Sequence, residues 1–152
     1  MTTINLTTKI KAPIEIIFDL SRNIDVHKLS INQTNEKAID GITSGLINLN
    51  ETVTFRGKHF GIYLQHKSKI TQMEIPNFFI DEMVKGHFKF FHHKHIYIQE
   101  NEYTIMKDKL TYKVPFGILG KLIDYILVKK HLTKLILKRN KFLKELAENH
   151  QN

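Results

Sequence analysis

The chain has 152 residues, which is the size of one domain and enough to bury a core without metal or disulfide support. It contains no cysteine, which excludes disulfide frameworks, zinc–thiolate sites and cysteine nucleophiles. Its 23 lysines and arginines outnumber its 15 aspartates and glutamates, and the resulting net charge of +8 favours anionic partners.

The N-terminus lacks the basic start and the apolar stretch of a signal peptide, and no apolar run approaches the roughly 18 residues of a membrane span. The sequence also shows no linker, internal repeat or low-complexity segment. We therefore expect residues 1–152 to form a single domain of a soluble, cytoplasmic protein.

The first part of the chain predicts one strand and two short helices before a second strand. Apolar and polar residues alternate from Ile4 to Ile10, a period of two that is typical of a half-buried strand. Residues 13–21 predict a short helix, because Pro13 suits a first helical turn and apolar residues follow at helical spacing. A second short helix is predicted at about 25–30 and a strand at 35–40.

Residues 51–114 predict a run of antiparallel strands joined by hairpins. The turn signals are Phe60-Gly61, Pro76-Asn77, Gly86-His87 and Asn101-Glu102, each lying between stretches rich in β-branched and aromatic residues. With the two earlier strands, this run predicts a curved antiparallel sheet of about seven strands.

A hairpin turn fixes which residues pair, and pairing fixes which side chains share a face. Pairing Glu100 with Tyr103 places His95 opposite Asp108, and a two-residue turn at Gly86-His87 places Glu82 opposite Phe91. The four hairpins together give one mostly apolar inward face: Val53, Phe55, Leu64, His66, Ile70, Phe78, Ile80, Glu82, Phe91, His93, His95, Tyr97, Met106, Asp108, Leu110 and Tyr112. The opposite face is rich in lysine, as a solvated sheet surface is.

Residues 115–149 predict one long amphipathic helix that lies across the concave face of the sheet. Its apolar positions are Leu119, Leu122, Ile123, Ile126, Leu132, Leu135, Ile136, Leu143 and Leu146. Its polar side is basic: Lys121, Lys129, Lys130, Lys134, Lys138, Arg139, Lys141 and Lys144. The sequence Lys129-Lys130-His131 interrupts the apolar stripe and indicates a bend.

This order of elements resembles the helix-grip fold of the START-like (SRPBCC) superfamily, which includes Bet v 1-like and polyketide cyclase-like proteins. Residues 11–18, Lys-Ala-Pro-Ile-Glu-Ile-Ile-Phe, resemble the opening of that superfamily. Residues 56–61, 81–86, 93–95 and 115–120 resemble a bacterial subgroup of it. The resemblance covers nearly the whole chain. It implies an α+β ligand-binding fold, in a superfamily of lipid carriers, quinone binders, cyclases and hydrolases.

His93 and His95 lie two residues apart on one strand and so project to the same face. If the Asp108 carboxylate accepts a hydrogen bond from the His95 ring, the pair forms a dyad in which His95 can act as a general base. The same pair can instead be a satisfied polar contact that braces the cavity wall or orients a ligand. A metal held by His93, His95, Asp108 and Glu82 is a further alternative, but we predict no cofactor and no metal.

Glu82 is predicted inward, where it would donate a proton or contact a polar head group. A slip of one residue would send Glu82 to solvent and bring Asp81 inward. The residues predicted to contact a ligand are Phe55, His66, Ile80, Glu82, Phe91, His93, Tyr97, Met106 and Tyr112; His95 and Asp108 are the candidate catalytic pair.

The sequence favours binding or transport of a small hydrophobic molecule, such as a lipid, a quinone or a polyketide-like compound, between sheet and helix. One alternative is a cyclase or hydrolase that uses His95 and Asp108. Another is a membrane-surface or protein-interaction module, since the basic helix suits anionic lipid headgroups. We expect no nucleic-acid partner, because the lysine-rich strands lack the interleaved aromatics used for base stacking. We also expect a monomer or a weak homodimer.

Overall fold

A computed structural model describes residues 1–150 of the chain. The strands are β1 (Thr2–Ile10), β2 (Lys37–Gly41), β3 (Thr52–His59), β4 (Ile62–Glu74), β5 (Phe78–Lys85), β6 (Phe90–Glu100) and β7 (Tyr103–Lys113). The helices are α1 (Ile14–Ser21), α2 (Ile24–Ser30), α3 (Gly117–Ile123) and α4 (Lys129–Asn149). A 3-10 turn (Asn32–Thr34) follows α2, and a π-helical turn (Asp124–Val128) joins α3 to α4.

The seven strands form one antiparallel sheet in the order β1-β7-β6-β5-β4-β3-β2. The chain between β1 and β2 crosses from one edge of the sheet to the other, and α1 and α2 lie in this crossing. The long helix α4 contacts β1, α1 and α2, so it lies across the sheet. The predicted fold class, an α+β helix-grip fold, is confirmed.

Local sequence explains where α1 and α2 begin. Pro13 is extended, with φ of −60° and ψ of 145°, and directly precedes α1, where its missing N–H costs nothing. The Asn23 side chain accepts hydrogen bonds from the backbone N–H groups of Asp25 and Val26, which caps α2. Helix α1 buries Ile14, Ile17 and Phe18, and α2 buries Ile24. The Phe18 ring meets Phe79 of the sheet edge-on at 5.7 Å.

Two of the predicted hairpin registers are confirmed. In β3 and β4, Phe55 pairs with His66, and in β6 and β7, His95 pairs with Asp108. At the first turn Phe60 and Gly61 have φ of 51° and 81°, the left-handed values that a tight two-residue hairpin of type I′ requires.

The predicted register of β5 against β6 is wrong by one residue. Asp81 pairs with His93 and Glu82 with His92, so Asp81 faces inward and Glu82 outward. The cause lies in the connection between the strands: Glu82 pairs with His92, one residue further along the chain than the predicted partner Phe91. One added residue exchanges the two faces of a strand.

The same shift moves the other residues of β5. Phe78 and Ile80, predicted inward, lie on the outer face with Glu82, and Phe79 takes the inner face. Ile70 stays on the inner face as predicted, because the register of β4 against β5 changes between Ile70 and Gln72. This β-bulge lets both ends of β4 keep apolar residues inward.

The C-terminal helix differs from the prediction in its first part. The π-helical turn separates α3 from α4, and the predicted core positions Leu119, Leu122, Ile123 and Ile126 are exposed by between 42 and 64%. Only from Val128 onward does the helix cover the sheet. No helix within residues 1–150 is both long and apolar enough to span a membrane.

Candidate functional site

A cavity of about 260 Å³ lies between the inner face of the sheet and α4. Strands β3 to β6 supply one wall, and Leu132, Leu135, Ile136 and Arg139 of α4 supply the other. Of the predicted site residues, Phe55, His66, Phe91, His93 and His95 line this cavity. Most of the exposed surface of the cavity wall is apolar, which suits a largely apolar occupant, although about half of the lining side chains are polar or charged.

The cavity reaches solvent between two hairpin connections and the start of α4. Phe60 and His87, at the tips of these connections, are exposed and belong to the lining. The Phe60 ring packs on the His131 ring of α4 at 4.6 Å. These side chains therefore form the mouth of the cavity.

A polar cluster occupies the inner part of the cavity wall. We call it the central cluster, and its members are Asp81, His93, His95, Asp108, Arg139 and Asn140. Asp108 is 2% exposed. It accepts hydrogen bonds from His93 Nε2 at 2.9 Å and from Asn140 Nδ2 at 2.6 Å. A buried carboxylate needs such donors to offset the loss of water.

The predicted dyad takes a different form in the structure. His95 Nδ1 lies 3.2 Å from Asp108 Oδ1, but it has no aligned hydrogen bond among the described residues. Instead, His95 Nε2 donates to Asp81 Oδ2 at 2.8 Å. The His95 ring also stacks on Phe79 at 4.3 Å. His95 therefore lies between two carboxylates, and His93 makes the hydrogen bond to Asp108 that was predicted for His95.

Arg139 reaches the cluster from α4 although the sequence assigned it to the basic, solvated side. It is 6% exposed. Its Nη1 donates to Asn140 Oδ1 at 3.1 Å and lies 3.5 Å from Asp108 Oδ1. The sequence indicates this inward position, because Arg139 and Asn140 fall between Ile136 and Leu143 on one stripe of helical spacing.

The charges within the central cluster balance. Burial would raise the pKa of Asp108, but hydrogen bonding to His93 and the nearness of His95 hold it well below its ordinary value. Burial would likewise raise the pKa of Asp81, but the hydrogen bond from His95 lowers it. Burial would lower the pKa of His95, yet the nearby Asp108 carboxylate and the hydrogen bond to Asp81 raise it. Burial and the charge of His95 lower the pKa of His93.

Consequently His95 carries a proton in preference to His93. When His95 is protonated, two carboxylates face one imidazolium and the Arg139 guanidinium. Such a balanced cluster can stay buried. It also presents both donors and acceptors to a polar group at the end of a ligand.

A second polar group, which the sequence analysis missed, lies nearer the mouth. We call it the Glu36 cluster: Glu36, His27, His59, His131 and Thr34. Glu36 Oε2 accepts a hydrogen bond from Thr34 Oγ1 at 3.1 Å and lies 3.7 Å from His59 Nε2. His27 Nε2 lies 3.9 Å from Glu36 Oε1. Burial would raise the pKa of Glu36, but the two histidines lower it to about 2.

The His59–His131 contact joins the sheet to α4 across the mouth, with Nδ1 of His59 2.9 Å from Nε2 of His131. Burial and the neighbouring His59 lower the pKa of His131. No sequence signal brings these residues together, because they come from four separate elements that only the tertiary fold makes adjacent.

Gly57 leaves the space in which the Glu36 carboxylate lies. A β-carbon at Gly57 would collide with Glu36 Oε2. We expect Gly57→Ala to lower the free energy of unfolding by about 1–3 kcal/mol through overpacking, as measured by urea denaturation. Gly86→Ala is the matched control, since its β-carbon meets the flexible end of Met83 at 2.6 Å and reaches His66 Nδ1 only at 3.3 Å. Equal losses in the two variants would contradict this account.

Six of the predicted site residues lie outside the cavity lining. Tyr97, Met106 and Tyr112 face inward as predicted but are at most 2% exposed and belong to the core. Glu82 and Ile80 lie on the outer face because of the shifted register of β5. Asp108 is the sixth, and it acts on the lining through His93 and Arg139.

Asp81, His93 and His95 are the residues that could hold a metal, since one ligand atom from each lies within 4.8 Å of the others. A cation there would have to displace the His95 proton that both carboxylates stabilise. It would also be repelled by the Arg139 guanidinium. The donor set therefore suits hydrogen bonding better than metal binding.

The architecture matches solved structures closely, whereas no protein-family model and no curated protein matches the chain. A protein of Thermus thermophilus superposes with a TM-score of 0.77 at 16% identity, over 99% of this chain and 100% of that one. A START superfamily protein of Mycobacterium smegmatis gives a TM-score of 0.72 at 13% identity, over 97% of each chain. Major latex-like protein 151 of Panax ginseng gives a TM-score of 0.72 at 13% identity, over 96% of this chain and 97% of that one. The chain therefore has the START-like, Bet v 1-like fold.

Proposed function

We propose that the protein binds one small, largely apolar molecule in the cavity and orients it by its polar end. The observation that carries this proposal is the combination of an apolar void with a charge-balanced cluster at its inner wall. Apolar burial would supply most of the affinity, at about 25 cal/mol per Å² before ordering costs. The central cluster would select among ligands of similar size.

The cavity volume restricts the ligand. About 260 Å³ is just below the roughly 300–1,000 Å³ of typical small-molecule sites. A single short chain or a compact ring system fits such a volume, and a two-chain phospholipid does not. Among the predicted ligand classes, this supports a quinone head, a small polyketide-like ring or a single-chain lipid.

The central cluster defines the polar end of the ligand. The Arg139 guanidinium is a donor, and the Asp81 carboxylate is an acceptor; both residues line the cavity. A carbonyl or hydroxyl oxygen would therefore be recognised, whereas a purely hydrocarbon end would leave these groups without an added partner.

Native mass spectrometry of the purified protein, followed by titration with 1-anilinonaphthalene-8-sulfonate, tests this proposal. We expect a retained apolar passenger or saturable binding of one probe molecule. Ser68→Phe adds a ring inside the cavity and should weaken probe binding at least tenfold. Gln72→Phe adds the same ring on the outer face of the same strand and should not. Absence of both passenger and probe binding would refute the proposal.

A catalytic role for His95 and Asp108 is a second proposal, and the geometry alters its form. Held between two carboxylates that raise its pKa, His95 is better suited to donate a proton than an unperturbed imidazole is. A cyclase or hydrolase reaction at this site would then begin with protonation of a substrate carbonyl.

Four further expectations from the sequence stay predictions: one domain, a cytoplasmic location, no nucleic-acid partner, and a monomer or weak homodimer.

A further inference from the structure

The connection between β7 and α4 exposes a continuous run of apolar side chains. Within residues 116–127, which we call the apolar segment, eight large side chains are between 42 and 87% exposed: Phe116, Ile118, Leu119, Leu122, Ile123, Tyr125, Ile126 and Leu127. Monomeric soluble proteins rarely leave such a contiguous patch in water. We therefore expect another surface to cover this patch.

The apolar segment is fastened to the sheet by its polar atoms. Asp124 is 6% exposed and accepts hydrogen bonds from the hydroxyls of Thr2 and Tyr112. On α3, Gly120 packs so closely on the Pro115 carbonyl that a β-carbon would collide with it. Because Asp124 ties the segment to β1 and β7, the segment presents its apolar side chains to the outside in a defined arrangement.

The charges around the apolar segment are of one sign. Within residues 116–131 the exposed charged side chains are Lys121, Lys129 and Lys130, and the single carboxylate, Asp124, is buried. Large apolar side chains flanked by lysines are typical of helices that lie in the interface of an anionic bilayer. The lysines also disfavour pairing with a second copy, since symmetry would bring them together without exposed carboxylates from the segment.

The apolar segment is continuous with the mouth of the cavity. Val128 directly follows Leu127 and lines the cavity, as do His131 and Leu132 one turn later. Phe60, which is 56% exposed, packs on His131 at the opposite side of the mouth. A flat apolar surface that bound the apolar segment would therefore also contact the mouth of the cavity.

We propose that the apolar segment docks the protein on an anionic phospholipid surface, with the mouth of the cavity turned toward the lipid. The side chains enter the boundary between headgroups and acyl chains, and the three lysines contact the headgroup phosphates. Docking goes beyond ligand binding and does not require a filled cavity. The two proposals can therefore fail separately.

Vesicle binding tests the docking surface. We expect the protein to sediment with phosphatidylcholine vesicles that contain phosphatidylglycerol, and to bind less as salt rises. Replacing Ile118, Leu119 and Leu122 together by serine should weaken binding at least tenfold. The control replaces Leu29, Ile39 and Ile75 by serine. These residues are 60, 46 and 60% exposed elsewhere on the surface, and the control should bind like the wild type.

The lysines are tested by charge removal. Each of Lys121→Gln, Lys129→Gln and Lys130→Gln should weaken binding about fivefold, the effect of one basic residue near an anionic surface. Lys107→Gln, Lys109→Gln and Lys113→Gln on β7 are the matched controls. Equal losses in the two sets would mean that net charge rather than this surface binds the vesicles, and would overturn the proposal.

A fluorescent reporter can locate the contact, because the chain contains no tryptophan. Leu122→Trp should shift its emission to shorter wavelength on vesicles, while Ile75→Trp should not. The proposal fails if the wild type does not bind anionic vesicles. It also fails if the emission of Leu122→Trp stays at the wavelength of a solvent-exposed tryptophan when the protein is bound. It also fails if sedimentation reveals a dimer that the serine triple variant abolishes, since a second copy would then be the occupant.

Discussion

Replacing Asp108 by alanine is expected to lower the free energy of unfolding by about 3–5 kcal/mol, the usual cost of removing one partner from a buried ion pair. Asp108 accepts from His93 and Asn140 and faces Arg139 at 3.5 Å. Without it, His95 keeps only the Asp81 carboxylate, and Arg139 loses the one carboxylate that lies within 4.0 Å of it among the described residues. Urea denaturation at neutral pH measures the loss.

Two variants separate charge from packing at this position. Asp108→Asn keeps the shape and one acceptor oxygen, so its loss should lie below that of Asp108→Ala. Asp40→Ala removes an exposed carboxylate that lies 3.5 Å from Lys67 Nζ, and its effect should stay within about 1 kcal/mol. If Asp108→Ala costs no more than Asp40→Ala, the central cluster does not stabilise the fold.

The Asp108 variants also bear on the histidines. Removing the carboxylate takes away one of the two groups that raise the pKa of His95. We therefore expect this pKa to fall in Asp108→Asn, which NMR titration of the imidazole ring can follow. An unchanged His95 pKa would indicate that Asp81 alone holds its proton.

The sequence predicted the fold because hydrophobic period and turn residues agreed along the chain. The registers at the Phe60-Gly61 and Asn101-Glu102 turns followed from two-residue connections, in which the number of linking residues sets the faces of both strands. The sequence after Lys85 carries no signal that determines the register of β5 against β6. Counting turn residues therefore could not decide whether Asp81 or Glu82 faces inward.

The candidate site was predicted in part for the same reason. His93 and His95 were placed correctly because they lie on β6, whose register against β7 was right. Arg139 was missed because a basic side chain on an amphipathic helix normally reaches solvent. Its spacing between Ile136 and Leu143 places Arg139 on the inward stripe, and the buried Asp108 explains why its charge is stabilised there.

The remaining difference lies in the first part of the C-terminal helix. At about 100° per residue Leu119 and Leu132 lie about 140° apart, so even one continuous helix would not place both on one face. The wider turn at Asp124–Val128 changes the phase between α3 and α4. The apolar pattern is thus divided between a helix that covers the cavity and a segment exposed beside its mouth.

Glu36→Gln is expected to make stability less dependent on pH in the acid range. The folded-state pKa of Glu36 is lowered from 4.5 to about 2. A lowered pKa stabilises the fold above the unfolded-state value, and this stabilisation is lost as pH falls from about 4.5 to about 2. The shift corresponds to up to about 3 kcal/mol.

We therefore expect Glu36→Gln to be less stable than the wild type by up to about 3 kcal/mol at pH 7, and the difference to shrink toward zero at about pH 2. Urea denaturation at a series of pH values measures this. Glu102→Gln, which removes an exposed partner of Lys11, should differ from the wild type by less than about 1 kcal/mol throughout. If the difference in the free energy of unfolding between the wild type and Glu36→Gln does not change with pH, the charge interaction with His27 and His59 is not what Glu36 contributes. Its contribution would then come from packing beside Gly57.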